Sequence, residues 1–148
     1  MSWFSKLLSR SRNSNKNPIP QPNRCRLALP KDWHPGNSTS STAGHMEFYG
    51  SDGSAIKFAI GPISPEPTPQ QQKDTLTSIA KKQGHTVLST GEIAVGGTKH
   101  ATMTCEVPRV GVLRNYSLIF DGWEYFATAK GNLELCDTII KTFVVTTD

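Results

Sequence analysis

Four histidines, three cysteines and a handful of strand carboxylates are the groups in this chain that could hold a metal or attack a substrate. His34, His45, His85 and His100 show no metal-helix spacing, and no cysteine or carboxylate stands beside them in a ligand pattern. His34 and His45 share a loop over residues 34–45 rich in Ser, Thr, Gly and Asn. A chance metal contact there is one reading, and solvated loop side chains are the other. His100 falls on a strand beside Gly96-Gly97, where a surface or edge position accounts for it. Cys105 and His100 could be imagined as nucleophile and base, but a separation of five on a strand puts them on opposite faces.

Other chemistry is thinner still. No G-x-S-x-G elbow is present, and no glycine-rich loop opens a helix to cradle a phosphate. Glu47, Glu92, Glu106 and Glu124 lie in strand-like runs and read as outward members of alternating strands, not as an acid/base pair. The enzyme classes that carry local motifs are thereby removed, while sites assembled from distant residues stay open. The expectation is a non-enzyme with no catalytic residue, no cofactor and no metal. A small-molecule-binding or hydrolytic domain without a motif is the alternative.

Three cysteines make an odd set with no C-x-x-C spacing, unlike a small disulfide-stapled secreted fold. Cys105 in a strand and Cys136 on the apolar face of a helix read as buried thiols. A reducing, cytoplasmic compartment fits this usage. No stretch approaches the roughly 18–20 apolar residues of a membrane-spanning helix.

The elements that must position these side chains are marked by turn chemistry. Cys25 to Pro30 alternates as a short strand ahead of Trp33. Met46–Tyr49 and Ala55–Ile60 flank Asp52-Gly53, a hairpin signal because both residues accept positive φ. A proline-rich connector over residues 62–69 leads to a helix with Thr68 as N-cap, Pro69 at its first position, Gln71 completing a capping box and Gly84 as its stop. Its apolar stripe is Leu76, Ile79 and Ala80. Four strands follow, over residues 87–95, 98–107, 112–120 and 123–130, with turns at Gly96-Gly97, Pro108–Gly111 and Asp121-Gly122. In the last hairpin Phe120 faces Trp123, Leu118 faces Tyr125 and Tyr116 faces Ala127, an apolar face suited to the core. A closing helix starts at Asn132 and carries Cys136, Ile139, Ile140 and Phe143 at i, i+3, i+4 and i+7. Val144 and Val145 are placed as an extension of that packing. The pattern of three strands, helix, four strands, helix predicts an α+β fold, a mainly antiparallel β-sheet flanked by helices.

Charge divides the chain in two. Residues 1–24 hold five basic residues and no acid, leaving eleven basic and twelve acidic residues in the remainder. Residues 1–23 read as a basic tail and Pro-rich linker, and residues 24–148 as a single α+β domain. In the tail Trp3, Phe4, Leu7 and Leu8 share one helical face, with Lys6, Arg10 and Arg12 supplying charge. These seven residues are the candidate partner- or membrane-binding site, against the plainer reading of a frayed terminus. The near-neutral body offers no basic footprint for nucleic acid. Nine of the ten aromatic residues in the body, all but Phe143, could suggest base stacking, but the aromatic hairpin has only Arg114 and Lys130 at its far end, so core is the better reading.

With Leu27-Ala28-Leu29-Pro30 ahead of Trp33, the Phe120-Asp121-Gly122-Trp123 hairpin and the Ile139-Ile140-x-x-Phe143 helix, residues 24–146 resemble the PsbP/Mog-like superfamily. That group includes the photosystem II extrinsic protein PsbP, the Ran-binding Mog proteins and small bacterial proteins of the DcrB type. The resemblance implies an α/β/α sandwich used for binding proteins and not for catalysis, hence a protein partner and an assembly-accessory role. It carries over no site residue. Many bacterial members look exported or lipid-anchored, whereas Cys25 follows Gln21-Pro22-Asn23-Arg24, which is no lipobox.

Overall fold

Tight turns decide most of the chain path. The structure, a computed structural model, describes residues 24–37, 39–40 and 44–146. In chain order these form β1 (Arg24–Arg26), β2 (His34–Pro35), β3 (His45–Tyr49), β4 (Ala55–Pro62), α1 (Pro69–Lys82), β5 (Thr86–Val95), β6 (Thr98–Val107), β7 (Gly111–Phe120), β8 (Trp123–Lys130), α2 (Leu133–Ile140) and β9 (Val144–Thr146). Strands β2 to β8 make one antiparallel sheet in the order β2-β3-β4-β8-β7-β6-β5, and β1 pairs with β9. The two-residue turns Gly96-Gly97 and Asp121-Gly122 have positive φ at all four positions, the conformation whose twist matches the flanking strands.

Three expectations change in detail. The β3–β4 connection is a five-residue loop over residues 50–54 in which only Gly53 has positive φ. Asp52 acts through its side chain there, its Oδ1 accepting from the Ser54 N–H at 2.9 Å. Four strands precede α1, because His34–Pro35 adds to the edge of β3. Val144 and Val145 leave helical packing for β9, opposite Arg26 and Cys25.

Both helices start as their caps dictate. Thr68 and Gln71 exchange side chain and backbone bonds in a full capping box, and Asn132 Oδ1 accepts from the Leu135 N–H. The helices cover opposite faces, giving the α/β/α sandwich. On one face Ile56, Phe58 and Ile60 of β4, Tyr116 and Leu118 of β7 and Tyr125 of β8 pack beneath Cys136, Ile139, Ile140 and Phe143. On the other, Leu76 and Ala80 of α1 pack on Met103, Cys105, Leu113 and Phe126. The Phe120/Trp123, Leu118/Tyr125 and Tyr116/Ala127 pairs stand as expected.

Between β6 and β7 the ladder ends at Ala101 and Ser117, although both strands run three residues further. Backbone groups that should pair across the gap still need partners, because burying them unpaired is costly. Gln72 of α1 supplies two. Its Oε1 accepts from the Ala101 N–H at 3.2 Å, and its Nε2 donates to the Ser117 carbonyl at 2.8 Å. His100 supplies the third, its Nδ1 accepting from the Ile119 N–H at 3.2 Å. That bond puts the ring proton on Nε2, which lies 2.7 Å from Thr98 Oγ1. His100 is therefore not a surface side chain. It is 3% exposed, packed 4.8 Å from the Phe120 ring, and burial holds its pKa below the ordinary value.

Two substitutions test this account. Gln72→Leu should lower unfolding stability by about 3 kcal/mol, since it leaves a buried donor and a buried acceptor unpaired. A urea titration should show a lower midpoint at unchanged slope, while Gln70→Ala on the same helix stays within about 0.5 kcal/mol. Gly131→Ala should cost about 3 kcal/mol, combining backbone strain and overpacking. Its φ is 93° and an added Cβ would sit 2.5 Å from Ser54 Oγ and 2.7 Å from Ser54 Cα. Gly53→Ala has φ of 88° with nothing within 4 Å, so it should cost only about 1 kcal/mol.

Candidate functional site

An eight-residue helix is too small to roof the sheet. Seven strands span roughly 29 Å at their usual spacing, against a helix about 10 Å across. Helix α2 lies nearest β8, and the face beyond it toward β5 is left open. A groove of about 400 Å³ occupies that space. Thr102 and Thr104 of β6 and Arg114 of β7 line it from the sheet, and Asp137 and Lys141 line it from the helix and its C-cap.

Asp137 holds the inner wall in place. Its Oδ2 accepts from Arg114 Nη1 at 2.6 Å and its Oδ1 from the Tyr116 hydroxyl at 2.5 Å. Arg114 Nε donates in turn to Thr104 Oγ1 at 2.9 Å. Burial and then the Asp137 carboxylate push the Tyr116 hydroxyl far above its ordinary pKa, so it stays a donor. Burial works against the Arg114 charge, but Asp137 and Tyr116 carry its pKa upward on balance. Both groups are thus committed to structure, and neither is poised to move a proton near neutrality.

The outer wall is strand β5. Six consecutive residues, Ser89 to Ala94, line the groove. Because strand side chains alternate between faces, an unbroken run means that the main chain contributes too, and the groove follows the sheet edge. β5 is ten residues long and, among the described residues, pairs with β6 alone. A register shift between Val87 and Ser89 bulges Leu88 outward, leaving it 52% exposed. From the two-residue turn at Gly96-Gly97, hydrogen-bonded pairs fall at Val95, Ile93 and Gly91. The N–H and C=O groups of Thr90, Glu92 and Ala94 therefore point away from β6.

The remaining sequence candidates fall elsewhere. His34 and His45 come together around Glu47 and Tyr49 at the opposite edge. His45 Nε2 lies 3.3 Å from Glu47 Oε1, the Tyr49 hydroxyl donates to Glu47 Oε2 at 3.0 Å, and the His34 ring is 6.0 Å from that of Tyr49. Among the described residues no group of three or more His, Cys, Asp or Glu side chains could hold a metal ion. Cys105 and His100 serve opposite faces, as their spacing requires. Cys105 and Cys136 are buried free thiols; burial raises both pKa values, Cys136 to about 11 with Asp137 adding to the effect. Glu92 is bound by Lys73 at 2.9 Å, and Glu124 accepts from Ser117 Oγ at 2.6 Å. The tail residues Trp3, Phe4, Lys6, Leu7, Leu8, Arg10 and Arg12 lie outside the described residues. Sequence reasoning missed Gln72, Arg114, Asp137 and Lys141. Gln72 did carry a signal, since it continues the Leu76–Ala80 stripe by one turn as a polar residue in a core position.

Comparison with known proteins adds the fold and nothing narrower. No protein-family model matches the chain, and neither does any curated protein. Among solved structures it is similar to the solution structure of cyanobacterial PsbP (CyanoP) from Synechocystis sp. PCC 6803, with a TM-score of 0.54. The match covers 90% of this chain and 98% of that one at 11% sequence identity. The chain has a PsbP-like fold, an α+β sandwich built on an antiparallel sheet.

Proposed function

We propose that this chain is a non-enzymatic protein-binding module, an assembly accessory that engages its partner along strand β5. The observation that carries the reading is the ten-residue edge strand, open on one side, with Leu88 turned to solvent and a groove beside it. Exposed edges are templates for a further strand, and a protein that keeps one long and uncovered has a surface ready for pairing. The groups with catalytic chemistry support the same reading. His100 is bonded at both ring nitrogens, Cys105 and Cys136 are buried, and Asp137 is held by two donors.

Buried free thiols favour a reducing, cytoplasmic setting for the module. Among the described residues no helix is long and apolar enough to cross a membrane. The charge of the first 24 residues adds a second, separable role, a peripheral tether through Trp3, Phe4, Leu7 and Leu8 with Lys6, Arg10 and Arg12 toward anionic lipid.

The binding reading predicts that a photo-crosslinking amino acid placed at Leu88 of the full chain, expressed in its native cells, gives a discrete adduct. The same probe at Asp121, on the exposed β7–β8 turn, should give none. Equal labelling at both positions, or substrate turnover abolished by a single polar substitution in the groove, would reject it. The tether predicts that the full chain sediments with phosphatidylserine vesicles and that Leu7→Asp/Leu8→Asp releases most of it; identical sedimentation of the two proteins counts against it.

A further inference from the structure

We infer that the β5 edge and its groove form a docking site for an extended acidic peptide segment, which adds to the sheet as an eighth strand. This rests on the protein-binding reading above and specifies the chemistry of the partner.

Geometry supplies the pairing. Thr90, Glu92 and Ala94 present three outward N–H and C=O sets at two-residue spacing, which is the repeat of an added strand. Alternate side chains of that strand would descend into the groove, where Gly91 opens the floor and places nothing above Thr102. The Leu88 bulge closes one end of the flat stretch, so pairing runs over residues 89–95 and not the whole edge.

Charge supplies the selectivity. The carboxylate on the groove face, Asp137, is already neutralised by Arg114, while Glu92 sits at the rim with its carboxylate turned to Lys73 of α1 on the other face of the sheet. The cations are not exhausted in the same way. Arg114 bonds Thr104 and Asp137 through Nε and Nη1, two of its three guanidinium nitrogens, and its side chain keeps 25% exposure. Lys141 is exposed at the groove mouth and enters none of the ion pairs among the described residues. What remains for a ligand is positive charge with fork-shaped donors, surrounded by the hydroxyls of Ser89, Thr102 and Thr104. A carboxylate side chain on every second residue meets that arrangement, whereas a basic strand would place like charges together.

The test uses the full chain and a fluorescein-labelled heptapeptide alternating Val and Glu, with a Val/Lys peptide as its counterpart, read by fluorescence anisotropy. The expected result is binding of the Glu peptide at least tenfold tighter than the Lys peptide, weakening with salt. Lys141→Glu should reduce it about tenfold. Thr90→Pro and Ala94→Pro each remove one outward N–H while sparing the β5–β6 ladder, and should abolish binding with thermal melts unchanged. Equal affinity for the two peptides, or binding that survives Lys141→Glu and either proline variant, overturns the proposal. So does a concentration-dependent dimer in sedimentation velocity that Ala94→Pro dissolves, because the edge would then belong to a second copy of this chain. A Leu88 adduct that persists while the Glu peptide fails to bind rejects the acidic partner alone; loss of both rejects the edge as a binding surface.

Discussion

The fold turns on a place where the sheet cannot pair with itself. Strands β6 and β7 separate beyond Ala101 and Ser117, and the backbone groups stranded there are enclosed by helix α1 on one side and the aromatic core on the other. A buried N–H without an acceptor costs as much as several favourable contacts contribute. Gln72 and His100 therefore act as ladder rungs made of side chains. The consequence reaches well past those bonds. Gln72 ties α1 to one register over the sheet, so Leu76 and Ala80 meet Met103 and Cys105 instead of sliding along the strand. His100 keeps the β5–β6 hairpin beside Phe120, whose ring fills the space above Gly96 and stacks 5.8 Å from Phe143. One irregularity thus couples the two helices through the sheet between them.

The other face obeys a different economy. Its core is apolar and aromatic, and its short helix is oriented by one charged contact, Asp137 to Arg114 and Tyr116. Such a group is tolerated because each carboxylate oxygen has a donor and because Arg114 is only partly desolvated. The same contact holds α2 over β7 and β8, away from β5. Groove and open edge are hence two results of one placement. An added turn of helix toward β5 would close both, and nothing in the sequence after Lys141 supplies it, since the chain turns instead into β9.

Much of the architecture was legible in the residues because it is local. Gly96-Gly97 and Asp121-Gly122 need positive φ, Thr68 and Gln71 cap each other within one turn, and the i, i+3, i+4, i+7 stripe from Cys136 to Phe143 points one way. Features that failed to show are those whose partners are far apart in sequence. The β1–β9 pairing joins residues 122 apart, and no pattern in Val144-Val145 distinguishes a strand from the end of a helix. His100 resembled a surface residue because its acceptors and donors come from Val95, Thr98 and Ile119, on three segments. The groove was invisible for the same reason. Thr102, Arg114 and Lys141 are unremarkable singly and become a site only through strand order. The tail, by contrast, is read from composition alone.

Pairing of β1 with β9 also determines how the body answers to force. Arg24 stands opposite Thr146, so the first and last described residues leave the fold side by side. A pull on whatever precedes Arg24 meets three residue pairs and a handful of half-buried contacts by Cys25 and Leu27 before it reaches the sheet. Bringing two such distant segments together costs roughly 4 kcal/mol in loop entropy by chain-closure scaling, against few bonds in return. If the tail grips a surface, tension meets these three residue pairs before it reaches the seven-stranded sheet.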